Sequence, residues 1–278
     1  MAYFSGTAAD DSIVGTAEDD TLIGNGGNDT LSGGEGNDGI WGDAGADVLL
    51  GGAGDDLFGA DTMDWVDGGE GYDRVYVGQV AGAPPMAAYL SDANNIEWIG
   101  GTMADDRIGY SGQRGIRMEG GSGNDDLSGG SGDDQLHGES DDDVVHGGIG
   151  NDTVSGDWGD DYVLGGADDD TLMGGDGDDR LVDDEGSNEL WGGAGADTFG
   201  FNKWHLTNRV MDFEGAGAAG GDVVEVFRPG MERLTFAYFM ANHVSQVGND
   251  TVLTWGSTTT VLVGVQAASL IESDFTFS

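Results

Sequence analysis

The sequence predicts an all-β chain: two stacked parallel β-solenoid arrays followed by a C-terminal antiparallel β cap. Three observations carry that prediction. Aspartate recurs every nine residues over two long stretches, apolar side chains recur in the same nine-residue phase, and the chain has 55 glycines against 3 prolines and no cysteine. So much glycine makes a turn-rich backbone, without the strict period of collagen or the stiffness of a Pro-rich linker. Apolar residues make up 37% of the chain, too few for one thick core, and no disulfide can substitute for it.

The first array opens at Gly6. Blocks of nine read GTAADDSIV, GTAEDDTLI, GNGGNDTLS, GGEGNDGIW, GDAGADVLL and GGAGDDLFG, which puts Asp11, Asp20, Asp29, Asp38, Asp47 and Asp56 at the sixth position. An irregular stretch from Ala60 to Asp67 holds a shortened copy with Asp64 and Val66, and GGEGYDRVY closes the array with Asp73. The second array opens with GTMADDRIG at Gly101, loses its phase from Gly109 to Glu119, and then runs in strict register from Gly120 to Gly200. Its sixth positions are Asp125, Asp134, Asp143, Asp152, Asp161, Asp170, Asp179, Asn188 and Asp197. Position eight is apolar in all seventeen repeats, from Ile13 to Phe199, and position seven is mostly polar, as in Thr21, Gln135 and Thr171. Each repeat therefore reads as six turning residues, eased by glycine, and three extended ones with a single inward side chain.

One such unit cannot bury its apolar residue alone, so successive strands must reverse and stack. Two nonapeptides then make one turn of a flattened coil, and residues 18 apart lie over one another. Asp11, Asp29 and Asp47 fall in one column, and Asp125, Asp143, Asp161, Asp179 and Asp197 in another. The chain carries 53 acidic against 9 basic side chains, a formal charge of −44, so these columns repel themselves unless a cation lies between the turns. Donors that are all carboxylate or backbone oxygen suit calcium, not zinc or copper. The shortage of Lys and Arg excludes nucleic acid and anionic lipid as partners.

These blocks resemble the RTX, or haemolysin-type, calcium-binding repeats with the pattern G-G-x-G-x-D-x-U-x, over residues 6–76 and 101–200. The resemblance implies a β-roll in which each calcium ion takes the carbonyls of positions two and four and Asp six of one turn. The turn 18 residues on then adds the carbonyls of positions one and three and its own Asp six. One site would be Gly148, Gly150 and Asp152 with Gly165, Ala167 and Asp170. Gly130, Gly132 and Gly147 would serve the neighbouring site of Asp134 and Asp152. Four Asp pairs lie 18 apart in the first array and six in the second, so up to ten strong sites are expected. Position four departs from glycine at Ala9, Glu18, Ala104, Asp141 and Asp168, and Asn188 replaces Asp in the 170/188 pair, which marks those sites as weaker or differently coordinated.

By this reading residues 1–76 and 101–200 are two rolls. Residues 77–100, with Pro84, Pro85 and the strand-like Ala87 to Leu90, are a loop and strand excursion between them, and residues 201–278 form the cap. Past Phe201 glycine thins, and Val223–Phe227, Thr251–Trp255 and Thr260–Val265 read as antiparallel strands. MDFEGAGAAGGDVVEV and VLVGVQAASLIESDFTF are similar to the C-terminal region of the serralysin group of RTX proteins. That resemblance implies export through a type I ABC transporter on an uncleaved C-terminal signal, and a secreted, extracellular protein. Met1 to Gly6 has no basic segment before an apolar run, and no stretch of 18 apolar residues occurs, so neither a Sec leader nor a membrane-spanning segment is expected.

No catalytic apparatus is expected. His137, His146, His205 and His243 lack H-E-x-x-H spacing, and no G-x-S-x-G occurs. Of two G-x-G-x-x-G matches, Gly34–Gly39 is an overlap of repeats and Gly215–Gly220 precedes a strand instead of a helix. His137 and His146 hold position nine of adjacent repeats and read as surface residues of opposite sheets. Outward Trp41, Trp158 and Trp191 offer a platform for sugar rings. The alternative to a non-enzymatic structural role is thus a calcium-dependent module for extracellular polysaccharide, or an accessory module of an extracellular enzyme.

Overall fold

A nonapeptide with one obligatory apolar side chain reaches a dry core only by stacking on copies of itself, and stacking is what the chain does. The structure is a computed structural model and describes residues 1–61, 63–78, 87–201, 207–214, 221–226, 236–255 and 258–277. The chain divides into two compact units, Met1–Gly132 and Asp133–Ser278.

In the first unit the strands Tyr3–Ser5, Thr21–Ile23, Gly39–Trp41, Leu57–Ala60, Arg74–Val77, Trp98–Gly100 and Arg117–Ser122 form one parallel sheet. The intervening strands Ser12–Val14, Thr30–Glu35, Val48–Ala53 and Trp65–Glu70 form a second. Ala87–Leu90, Arg107–Tyr110 and Asp126–Ser128 pair in parallel as a third. Of the stretch lacking the repeat, residues 79–86, with Pro84 and Pro85, lie outside the described residues. Ala87–Leu90 and Trp98–Gly100 are rungs of the first unit.

The second unit repeats the pattern. Gln135–Ser140, Thr153–Trp158, Thr171–Asp176, Glu189–Ala194, Thr207–Val210 and Thr258–Leu262 make one parallel run. Val144–Ile149, Tyr162–Ala167, Arg180–Asp183, Thr198–Phe201, Val223–Val226 and Phe275–Phe277 make the other. Register is 18 residues wherever the nine-residue phase is unbroken, as in Thr153 opposite Thr171 and Thr171 opposite Glu189; it is 17 across the shortened copy, with Val48 opposite Trp65, and 19 where Arg107 lies opposite Asp126. Position eight is the core: Leu22, Leu31, Ile40, Leu49, Phe58, Leu136, Val145, Val154, Val163, Leu172 and Leu181 are all fully buried. Each contributes about 1.5–3 kcal/mol of burial that an isolated repeat could not obtain.

Two expectations change. Three-residue strands occur in the first rungs, but later strands run to six residues, as in Tyr162–Ala167, because positions one to three of the next repeat also pair. Glycine at position two permits this. Gly148 and Gly166 face each other at φ of 126°, and a Cβ on Gly166 would strike the Gly148 carbonyl. The cap also differs. Val244–Val247, Asp250–Trp255 and Thr258–Leu262 are antiparallel, but Val223–Val226, expected to be antiparallel as well, runs parallel to its neighbours. It continues the coil past the last nonapeptide, and Phe227 lies outside the described residues. The helix Phe236–His243, which no sequence reading foresaw, buries Phe239 against Trp255 and Phe275 at ring separations of 6.2 and 5.2 Å. Among the described residues no helix is long and apolar enough to cross a membrane.

Candidate metal centre

Stacking rungs 18 residues apart puts each position-six carboxylate beside the backbone of the preceding rung. Its Oδ1 then accepts a fixed bond: Asp20 N–H donates to Asp38 at 2.7 Å, Asp38 to Asp56 at 2.7 Å, and Asp11 to Asp29 and Asp29 to Asp47 in the alternate column. In the second unit Asp134 donates to Asp152, Asp152 to Asp170, Asp143 to Asp161, Asp161 to Asp179 and Asp179 to Asp197, at 2.7–3.0 Å. Asp106 likewise donates to Asp125. Apart from Asp11, half-buried at the open end, the position-six carboxylates in these columns are at most 3% exposed.

One oxygen is thereby used, and in ten of the column carboxylates the other is not. Oδ2 of Asp29, Asp38, Asp47, Asp56, Asp73, Asp152, Asp161, Asp170, Asp179 and Asp197 is buried and accepts no hydrogen bond from any described residue. Each points at the position-one glycine of its own repeat. A Cβ on Gly147 would lie 2.8 Å from the Gly165 carbonyl oxygen and closer still to Asp152 Oδ2. Carbonyl and carboxylate oxygens thus converge on a space that only glycine leaves open. Buried anionic oxygens without donors are costly unless a cation meets them. A hard, oxygen-seeking ion such as calcium matches the donors, and the chain has few cationic side chains to serve instead.

The electrostatics carry the same signature. Burial pushes the carboxyls of Asp56, Asp170 and Asp179 up to about 7, and those of Asp152, Asp161 and Asp197 to about 6, against an ordinary 3.8. Neighbouring acids add to the rise, and the donated N–H opposes it. Among the described residues no three His, Cys, Asp or Glu side chains gather as a metal cluster.

Of the expected ligands, the structure brings Asp152 Oδ2 together with the Gly165 carbonyl, and Asp170 onto the Asp152 N–H. The Ala167 carbonyl accepts Gly150 N–H at 3.1 Å and keeps a second lone pair. Gly148 and Gly150 hold positive φ in the turn. Gly130 and Gly132 close the first unit against the backbone of Gly112 and Arg114. Asp11 and Asp20 stand apart: their Oδ2 atoms take the N–H and hydroxyl of Thr7 and Thr16, as Asp106 takes those of Thr102. The Thr16 hydroxyl lowers the Asp20 carboxyl below its ordinary value. Threonine at position two therefore bonds the Oδ2 that stays unbonded in other rungs, in the three repeats whose position four is Ala9, Glu18 or Ala104.

Sequence reasoning missed three things. Position five forms a second ladder of opposite sense: Asn28 N–H donates to Asp10, Asn37 to Asp19, Asp55 to Asn37, Asn151 to Asp133, Asp169 to Asn151 and Asp178 to Asp160. The signal was visible, because position five is Asp or Asn in all but four repeats. Glu97, Asn208 and Asp222 continue the position-six columns at irregular spacing, taking the N–H groups of Asp73, Asn188 and Asp197. No nine-residue phase announces them. The third is Asp183, fully buried with an Oδ1 that accepts no hydrogen bond from any described residue. Elsewhere, His137 and His146 lie on strands of different sheets, with His137 Nδ1 3.1 Å from Asp157 Oδ2, and His205 and Gly215–Gly220 lie outside the described residues. Trp158 is 61% exposed, whereas Trp41 and Trp191 are half-buried and the Trp41 ring covers Gly39.

The model of the RTX calcium-binding nonapeptide repeat matches residues 5–40, 40–58, 58–79, 119–154, 137–172 and 173–201. Residues 80–118 and 202–278 fall outside those matches. No individual curated protein matches the chain at a significant level. The matches take in more than half of the chain and coincide with the rungs that carry the Asp columns, so the chain belongs to the family of RTX calcium-binding nonapeptide-repeat proteins.

Proposed function

We propose that this protein is secreted, folds outside the cell as its coils take up calcium, and serves there as a non-enzymatic structural or interaction module. The observation that carries the proposal is the row of buried Oδ2 atoms, which leaves the ion-free fold at neutral pH with stacked charges and nothing to neutralise them. Binding free energy is then folding free energy. At pH 7.5 with excess chelator, far-UV circular dichroism should show a largely disordered chain, and millimolar calcium should produce a β spectrum. Magnesium should substitute poorly, because it keeps its waters and demands a small octahedral shell. A β spectrum unchanged by chelator overturns the proposal.

Secretion follows from the same linkage. Extracellular calcium modules bind at roughly 10⁻⁴–10⁻³ M, so a chain of this kind stays unfolded at cytosolic calcium and can be threaded through a narrow transporter. The tail supplies the address in this reading. Deleting residues 270–278 should hold the protein inside cells that carry a matching type I transporter, with calcium-induced folding of the repeats preserved. Appearance of the truncated chain in the medium, without lysis, removes the support for an extracellular location.

A further inference from the structure

The repeat 183–191, DDEGSNELW, breaks the pattern twice: Asp183 stands where position one is otherwise glycine, and Asn188 stands where position six is otherwise Asp. The amide of Asn188 keeps the ladder intact. Its Oδ1 accepts Asp170 N–H at 2.6 Å, but its Nδ2 is spent on Asp183 Oδ2, the Glu185 carbonyl and Asn208 Oδ1. Asn188 therefore offers a cation no oxygen beyond the one the ladder uses. Taken alone, that exchange would leave the turn pair 165–170 and 183–188 with a single carboxylate, the weak link the sequence suggests.

Asp183 changes the outcome. It ends the strand Arg180–Asp183, is fully buried, and its Oδ1 accepts no hydrogen bond from any described residue. A Cβ on Gly165 would lie 2.5 Å from Asp170 Oδ2 and 3.1 Å from Asp183 Oδ1, so the two free oxygens bear on one point. At Gly138, Gly147 and Gly174 the group in the second place is the main-chain carbonyl of the next position-one glycine: Gly156, Gly165 and Gly192, at 2.8, 2.8 and 2.5 Å. Asp183 presents a side-chain carboxylate where those rungs present a backbone carbonyl.

We propose that Asp183 and Asp170 together hold a divalent cation, calcium by the chemistry of its neighbours, so that the Asp183 and Asn188 exchanges compensate and the array has no gap at this rung. This rests on the reading that the stacked turns bind calcium. The carboxylate has moved from one side of the same site to the other: position six supplies the amide that the ladder needs, and position one supplies the charge that the ion needs.

The test is a count of bound calcium per chain, by competition with a chromophoric chelator, for the full-length protein, Asp183→Asn, Asp183→Gly and the double variant Asp183→Gly/Asn188→Asp. Asp183→Asn keeps the shape and removes the charge, and each single variant should bind one ion fewer. The double variant restores the ordinary repeat and should recover the full count, which separates a lost ligand from a damaged fold. Wild-type counts in both single variants, or a missing ion in the double variant, overturn the inference. Absence of calcium binding by the wild-type chain itself would instead overturn the proposed function on which it rests.

Discussion

The two oxygens of each column aspartate do different work, and this division sets what a substitution costs. Oδ1 of Asp152 accepts the buried Asp134 N–H at 2.8 Å, and its Oδ2 faces the Gly165 carbonyl across the ion space. Asp152→Ala therefore strands a buried donor, at about 1–3 kcal/mol, and removes a ligand from two successive sites. Asp11 lies at the open end of its column, and its Oδ2 is already bonded to Thr7. In a calcium titration followed by circular dichroism, the midpoint should move much further for Asp152→Ala than for Asp11→Ala. Equal shifts would mean that the columns do not couple. The position-five ladder explains its own exceptions in the same terms: Ala46, Tyr72, Ser187 and Ala196 only donate, to Asn28, Asp55, Asp169 and Asp178, so none needs an acceptor side chain.

At the scale of the element, each repeat packs its inward side chains mainly against the rungs beside it, so damage should stay local. The cap tests this. Phe239 is fully buried on the only α-helix among the described residues, with Trp255 and Phe275 against its ring. Phe239→Ala should cost about 3–5 kcal/mol by leaving a cavity, and the loss should fall on the cap. Hydrogen exchange should quicken in Asp250–Trp255, Thr258–Leu262 and Phe275–Phe277, and protection in Val144–Ile149 and Tyr162–Ala167 should hold at saturating calcium. Uniform loss through the rungs would show a cooperative unit larger than nearest neighbours.

Across the whole molecule the formal charge of −44 and the raised carboxyl values fix how stability depends on pH. Asp56, Asp170 and Asp179 titrate near 7 in the ion-free fold and at an ordinary 3.8 when unfolded. Between those values the unfolded chain gives up protons that the folded chain keeps, so the ion-free fold loses stability as pH rises through that window. In chelator, β structure should be greatest near pH 4 and fade toward pH 7. In calcium the order reverses, because protons compete with the ion for the same oxygens, and the calcium midpoint should fall as pH rises. Thermal melts across pH 4–8, with and without calcium, check both. Stability in chelator that grows with pH would contradict the assignment.

The nine-residue phase by itself determined the coil, the 18-residue stack, the inward face at position eight and the Asp columns, because each is a local consequence of where glycine and one apolar side chain fall. It also pointed to calcium, since stacked acids with so little Lys and Arg leave few other partners. Only the tertiary structure decided which carboxylate oxygens are committed and which remain unbonded. That turns in part on contacts outside the nine-residue phase, such as Asp73 with Glu97 or Asp197 with Asp222, where spacing gives no cue. It decided that Thr7, Thr16 and Thr102 bond the Oδ2 atoms that other rungs leave unbonded, and that Asp183 Oδ1 and Asp170 Oδ2 both lie against Gly165 although Asn188 makes that rung look weak. It also decided that Val223–Val226 extends the coil in parallel: direction in a sheet is set by where the chain returns, which alternation of side chains along one strand does not encode.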